Sequence, residues 1–243
     1  MRLWKSWTVT LKDFSVFRKN KYVFYSLVAI PLLLGIILPS AVLFGLSGQL
    51  PTSTAVAVID SYSWYFVIIA AILPTAVASY SFVGEKIEKS LEPLLATPTT
   101  DGELLLGKSL AAFIPCLGAT YIGAAIYVAI VDVWSVMHVG SFLLPNLLFA
   151  VVLGVIAPLT CVLSVEASVI ISSRVNDVRA AQQLGGLVVL PLIFAVVFAE
   201  SQVGISPILL SLIVSGVLGL AAIILFYVSK ATFRREEILT NWK

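Results

Sequence analysis

The sequence has little charge, a single histidine and only two cysteines. Of its 243 residues, 12% are charged, which is too few to cover the surface of a water-soluble domain of this length. The one histidine, His138, belongs to no ligand cluster with the spacing of a metal site, so no bound metal is expected. Cys116 and Cys161 fall at different depths of apolar segments, which favours apolar packing over a disulfide.

Apolar residues take the place of charge. They make up 60% of the chain, and the mean hydropathy is +1.05. A helix crosses a bilayer with about 20 apolar residues, and such segments recur along the chain. We therefore predict an all-α membrane protein with six transmembrane helices, at 22–46, 62–84, 106–131, 146–172, 181–199 and 207–229.

The 15 lysine and arginine residues lie in alternate connecting segments. They fall before Tyr22, within 85–108, at Arg174 and Arg179, and from Lys230 onward, whereas the other connections carry none. Because basic residues are retained on the cytoplasmic side, this pattern predicts a multi-pass protein of the cell membrane with both termini in the cytoplasm. The predicted parts are an interfacial helix at 1–21, the membrane domain at 22–230 and a cytoplasmic tail at 231–243.

The segment before the first span predicts a helix that lies flat on the membrane surface. Trp4, Trp7, Leu11 and Phe14 recur at helical spacing, and basic residues surround them. A signal peptide is the alternative, but the apolar run that follows far exceeds the ~7–15 residues of a signal peptide's hydrophobic region.

The most charged stretch, 85–108, lies between the predicted second and third spans and has its own helix signals. Ser90 is a good N-cap, Pro93 falls in the first turn, and Pro98 disfavours a helical conformation of the residue before it. These signals predict a helix of about two turns, which is too short to be stable alone. Its apolar face must dock on a partner and consists of Leu91, Leu94 and Leu95.

Two nucleotide-binding patterns also occur, and neither has the context that its chemistry needs. Residues 102–109 satisfy G-x-x-x-x-G-K-[ST]. However, Thr100 and Glu103 have capping-box spacing and three leucines follow, so these residues begin a membrane helix rather than a phosphate-binding loop. The second pattern is V-A-I-V-D at 128–132, an apolar run that ends in an acidic residue as in ATP-binding proteins. Its Asp132 lies at the opposite end of the third span from Lys108, too far away to act with it. The chain alone is therefore not expected to bind ATP, and Lys108 is interpreted as structural.

Glu166 is the only acidic residue within the predicted spans. No series of acidic or histidine residues crosses the membrane, so a proton-coupled transporter would lack its relay, and intramembrane enzyme chemistry has no support. Glu166 lies about eight residues, or ~12 Å at helical rise, from Arg174 and hence toward the cytoplasmic side. A gating or pairing role is one interpretation, and extension of the side chain to the aqueous interface is the favoured one.

The stretch 85–108 resembles the loop between the second and third spans of the ABC type-2 exporter permeases. The matching residues read E-K-I-E-K-S-L-E-P-L-L-A-T-P and then E-L-L-L-G-K, and a looser match covers 173–191. One departure is Lys89-Ser90, where the family usually has Gly-Thr. The resemblance implies an N-terminal elbow helix, and a coupling helix in this loop that sits in a groove of an ATP-binding cassette subunit.

The resemblance further implies a function for the whole chain. It would be the transmembrane permease subunit of an ABC exporter, paired with a second permease protomer, surrounded by membrane lipid and without a nucleic-acid partner. ATP and Mg²⁺ would bind in the separate ATPase subunit, so this chain would be neither an enzyme nor a cofactor-binding protein. The implied docking residues are Glu88, Ser90, Leu91, Glu92, Leu94, Leu95, Thr97 and Pro98, and the implied lining of a path along spans 1, 2 and 5 includes Thr75, Ser79 and Tyr80.

Two alternatives from other classes remain open at this point. One is a six-span channel or passive facilitator without an ATPase partner, and the other is a membrane scaffold protein. The leucine face and its caps favour the permease, because an ordinary connecting loop does not need them. The transported substrate is not indicated by the sequence.

Overall fold

The computed structural model describes residues 3–45, 52–88, 99–200 and 206–232. Within these ranges all regular secondary structure is helical, which confirms the all-α class. The helices are α1 (Leu3–Lys19), α2 (Lys21–Gly45), α3 (Thr52–Ser63), α4 (Tyr65–Ile87), α5 (Asp101–His138), α6 (Leu147–Val151), a π-helical segment (Val152–Ile156), α7 (Ala157–Arg174), α8 (Val178–Glu200) and α9 (Pro207–Thr232).

Five stretches of the described chain are long and apolar enough to cross a membrane: Lys21–Phe44, Ser53–Ile87, Asp101–His138, Leu147–Arg174 and Pro207–Ser229. They coincide largely with five of the predicted spans, and together they indicate a multi-pass membrane protein. The predicted fifth span, 181–199, lies within α8, which is not among the five, so the count of six stays a prediction. Most of the predicted tail lies outside the described residues.

Helix α4 is the centre of the bundle. In its stretch, Ser53–Ile87, 78% of the most apolar window is buried, against 17% in the stretch of α9. Small residues such as Ala70, Ala71 and Ala78 are fully covered, so α2, α5, α7 and α8 all pack against α4. A displacement of α4 would therefore change its contacts with all four of these helices.

Glycine lets α2 and α5 cross at close range. A Cβ built on Gly35 would lie 2.9 Å from the Gly123 carbonyl oxygen, and one on Gly123 would lie 3.0 Å from the Pro31 carbonyl oxygen. Small residues at such crossings bring two backbones together in membrane bundles. The crossing fixes the first span against the third.

The π-helical segment has a local cause. Pro158 follows it and has no N–H to donate, and the Ala157 N–H bonds to the Val152 carbonyl. The Leu153 carbonyl accepts instead from the Tyr121 hydroxyl of α5, at 3.2 Å. A side chain from a neighbouring helix thus satisfies a backbone group that the changed register leaves free.

Helix α1 lies where the sequence predicts an N-terminal helix, and it packs through a side that carries both polar and apolar residues. The residues buried on this side include Ser6, Val9, Thr10, Asp13 and Phe17, and α5 is the main neighbour of the helix. Trp4, Trp7 and Leu11 are exposed and remain available for the predicted contact with a membrane surface.

Candidate functional site

Four charged side chains join α1, α4 and α5, and α4 and α5 are the helices that flank 89–98 in the sequence. The Lys108 ammonium lies 3.2 Å from Asp13 Oδ2 and 3.0 Å from Glu85 Oε2, and it donates to the Ser81 carbonyl at 2.9 Å. Lys12 pairs with the other oxygen of Glu85. We call Lys12, Asp13, Glu85 and Lys108 the clamp, since it ties α1 to the end of α4 and the start of α5.

Three of the four clamp side chains are almost closed to solvent. Lys108 has no exposed side-chain surface, and the Asp13 and Glu85 side chains are each 4% exposed. Burial raises the pKa of the Asp13 carboxyl above its ordinary value, although the Lys108 ammonium opposes this change. The Lys108 ammonium also lies 4.6 Å from the centre of the Phe82 ring. Lys108 is therefore structural, as its place in a helix predicts.

Gly107 allows α1 to reach the clamp. A Cβ at this position would lie 2.7 Å from the Ser6 carbonyl oxygen and 2.8 Å from Val9 Cβ. The Gly107 carbonyl accepts a hydrogen bond from the Thr10 hydroxyl at 2.9 Å. Gly107, the second glycine of the phosphate-binding pattern, thus serves helix packing. Asp132 of the other pattern lies 24 residues beyond Lys108 on the same helix, ~36 Å away at helical rise.

Polar contacts also fix the two helix ends on either side of 89–98. The predicted capping box is confirmed, because Thr100 Oγ1 accepts from the Glu103 N–H at 3.3 Å and Glu103 Oε2 accepts from the Thr100 N–H at 3.0 Å. On the α4 side, the Lys86 ammonium donates to Ser173 O, Val175 O and Asn176 Oδ1 at 3.0, 2.8 and 3.1 Å. This Lys86 anchor joins α4 to the end of α7.

Most of the predicted docking residues fall in the segment between these ends. Glu88 is described, and its Oε1 accepts a hydrogen bond from the Tyr80 hydroxyl at 3.3 Å. The other docking residues lie outside the described residues, so their helix stays a prediction: Ser90, Leu91, Glu92, Leu94, Leu95, Thr97 and Pro98.

A groove of about 560 Å³ runs between α4 and α8. Thr75 lines it, as one of the three predicted path residues. Gln183 and Gly186 of α8 also line it, although the sequence pattern did not single them out. None of the described lining residues is charged: Ile72, Thr75, Gln183, Gly186, Leu187, Val189, Leu190 and Ile193.

The other two predicted path residues lie elsewhere. Ser79 is fully buried, and a Cβ built on Gly185 would lie 3.8 Å from Ser79 Oγ and 3.3 Å from Ser168 Oγ. Ser79 therefore belongs to a packed junction of α4, α7 and α8. Tyr80 lies beside Glu88 near the end of α4. The structure thus places only Thr75 on the groove.

The groove had a weak signal in the sequence. The run Q-Q-L-G-G at 182–186 puts two amides and two glycines inside a predicted span, and Gln182 accepts a hydrogen bond from the Tyr22 hydroxyl of α2 at 3.3 Å. Polar residues within an apolar helix commonly face other helices or a cavity. Helices α2, α4 and α8 therefore meet around these residues.

Glu166 does not extend to the aqueous interface. Its residue surface is 4% exposed, and its carboxyl lies beside Ser109 of α5 and Ser229 of α9. The favoured interpretation from the sequence was therefore wrong, because helix packing covers the side chain where a lone helix would leave it free to reach water.

No protein-family profile matches the chain, and no curated protein sequence matches it.

Proposed function

We propose that the chain is the transmembrane permease subunit of an ABC exporter of the type-2 class, with ATP hydrolysed by a separate subunit. In this proposal α8 is the fifth of six spans, both termini are cytoplasmic, and a second protomer completes the transporter. The observation that carries it is the fixing of both helix ends around 89–98. The clamp and the capping box hold the start of α5, and the Lys86 anchor holds the end of α4.

Such anchoring is what a coupling element requires. Force applied to a loop reaches the membrane helices only if the loop is joined stiffly to them, and buried ion pairs and multiple hydrogen bonds supply that stiffness. Because α4 forms one wall of the groove and α8 the other, a displacement of 89–98 would change the width of the groove. The ATPase subunit would thereby act on the proposed path.

The docking surface proposed for the ATPase subunit is the leucine face at 91, 94 and 95. Each leucine that enters an apolar groove of the partner stabilises the complex by roughly 1.5–3 kcal/mol. Glu88, Glu92 and the Thr97-Pro98 corner would orient the helix in that groove.

The test is a double variant, Leu94→Asp with Leu95→Asp, compared with Glu92→Gln as the matched control in the same segment. A carboxylate in a dry pocket is strongly unfavourable, so the double variant should lose transport and co-purification of an ATPase subunit. It should keep normal membrane level and thermal stability, because the segment is proposed to be a cytoplasmic loop. The control should retain most of its activity.

Two outcomes would contradict the proposal. Full transport by a well-expressed double variant would remove the docking role of the segment. Passive flux without any co-purifying ATPase would favour the channel or facilitator instead.

A further inference from the structure

Three buried side chains from three helices meet around Glu166 of α7. Ser109 of α5 and Ser229 of α9 lie beside its carboxyl, and the three residues are 4%, 9% and 0% exposed in the order Glu166, Ser109, Ser229. Glu166 Oε2, Ser109 Oγ and Ser229 Oγ each lack a hydrogen-bond partner of standard geometry. Buried polar atoms are rarely left in this condition, so the cluster is incomplete as it stands.

No lysine or arginine whose side chain the structure describes forms an ion pair with Glu166. Helices α4, α5, α8 and α9 pack against α7, and the following basic and ionisable side chains that the structure describes on them are engaged or placed elsewhere. Lys108 and Glu85 belong to the clamp, Lys86 binds the end of α7, Arg179 lies near the start of α8, and Tyr227 is exposed on α9. Among the side chains that the structure describes, the cluster therefore has a carboxyl and two hydroxyls and no cation.

We propose that Glu166, Ser109 and Ser229 form a binding site for one monovalent cation, either a proton or Na⁺. A single positive charge neutralises the single carboxylate, whereas a divalent ion would leave an excess charge in an apolar surrounding. Oxygen atoms are the ligands that hard cations take. The three unpartnered oxygens supply such ligands, and we call them the cation site.

Occupancy of the cation site would join α9 to the rest of the bundle. Ser229 lies near the end of α9, and Glu166 lies two turns before the end of α7, where the Lys86 anchor attaches. A bound cation would thus stabilise α9 against α5 and α7 near the ends that carry 89–98. Conduction across the membrane needs a series of acidic or histidine residues, and this site has one acidic residue. The site therefore binds a cation without conducting it across the membrane.

The experiment measures the melting temperature of the purified full chain in lipid nanodiscs. One arm titrates NaCl against choline chloride at constant ionic strength and pH, and the other varies pH in choline chloride alone. A ligand that binds only the folded state raises the melting temperature with its concentration. The wild type should gain a few degrees either with Na⁺ or with decreasing pH.

Glu166→Gln, which keeps the size of the side chain, should abolish that gain. Ser229→Ala should shift the titration to higher cation concentration, by up to about tenfold for one lost ligand, and it keeps the proposal testable if Glu166→Gln does not fold. Asp177→Asn is the matched control, because it also removes one carboxylate, at an exposed position. It should leave the gain unchanged.

The outcomes separate the two ions. A Na⁺-dependent gain that is lost in Glu166→Gln assigns the site to Na⁺, and a gain found only on lowering the pH and lost in the same variant assigns it to the proton. A wild type whose stability responds to neither ion in a Glu166-dependent way overturns the proposal.

Discussion

The clamp and the cation site are both buried and both polar, yet they are completed in different ways. The clamp has two carboxylates and two ammonium groups, and every one of these groups has an ion-pair partner within the chain. The cation site has one carboxyl and two hydroxyls with three unpartnered oxygens. Lys108 and Ser109 are neighbours on α5, about 100° apart around the helix, so one turn of α5 contributes to both.

The difference indicates two uses of buried charge. A set of charges that is neutral by itself holds helices in one arrangement, because separating any member leaves an unpaired charge in an apolar surrounding. A set that lacks a charge depends on a ligand, so its strength varies with the concentration of that ligand. In this protein the first set holds α1, α4 and α5, and the second holds the peripheral helix α9.

Among the clamp residues, substitution of Lys108 should lower the stability of the protein most. Lys108→Met keeps an apolar chain in place but leaves Asp13 and Glu85 buried with only Lys12 nearby. Removal of one partner of a buried ion pair destabilises by about 3–5 kcal/mol, which corresponds to a fall in melting temperature of about 6–20 °C for a chain of this size. Glu166→Gln in cation-free buffer should lower the melting temperature much less, because it removes an unpaired group.

A triple variant tests the reason for that loss. Lys108→Met combined with Asp13→Asn and Glu85→Gln removes the buried charges together, and replacement of a whole buried ion pair is often nearly neutral. The triple variant should therefore recover much of the lost stability. If it melts no higher than Lys108→Met alone, unpaired charge is not what destabilises the single variant.

The clamp itself could not have been predicted from the sequence. Lys108 meets Asp13 and Glu85, which lie 95 and 23 residues before it, and a single sequence contains no signal for pairing at such distances. The capping box of Thr100 and Glu103 was predictable, because its two bonds form between residues three apart. Local geometry is encoded in spacing, whereas contacts between helices depend on how the bundle packs.

Helix rotation explains the other differences. The apolar stripe of α1, with Trp4, Trp7 and Leu11, was visible in the sequence, but nothing in the pattern showed that the opposite side, with Asp13, would be buried against α5. Glu166 was identified as the one acidic residue within the spans, and its burial likewise depended on which way α7 faces. Periodicity gives the faces of a helix, and packing decides which neighbour each face meets.

The clamp can also be broken without changing a charge. Gly107→Ala places a methyl group 2.7 Å from the Ser6 carbonyl oxygen, so α1 must move away from α5. Overpacking of this kind costs about 1–3 kcal/mol. Gly118→Ala on the same helix meets no atom within 4 Å, and it should be neutral or stabilise by up to about 1 kcal/mol. Thermal melting of the two variants side by side measures the difference, and equal melting temperatures would exclude a tight crossing at Gly107.

The smallest effect is expected at the exposed edge of the clamp. Lys12 pairs with Glu85, but 38% of its side chain is exposed, and water already screens much of its charge. An exposed ion pair contributes about 0–1 kcal/mol, so Lys12→Met should lower the melting temperature by no more than a few degrees. Glu85 remains paired with Lys108 in this variant, 3.0 Å away, and therefore no buried carboxylate is left alone. The residual effect should shrink further in 1 M salt, where the Debye length is about 3 Å, whereas the loss caused by Lys108→Met should persist because its ion pairs are closed to solvent. A Lys12→Met variant as unstable as Lys108→Met would show that burial does not set the strength of these ion pairs.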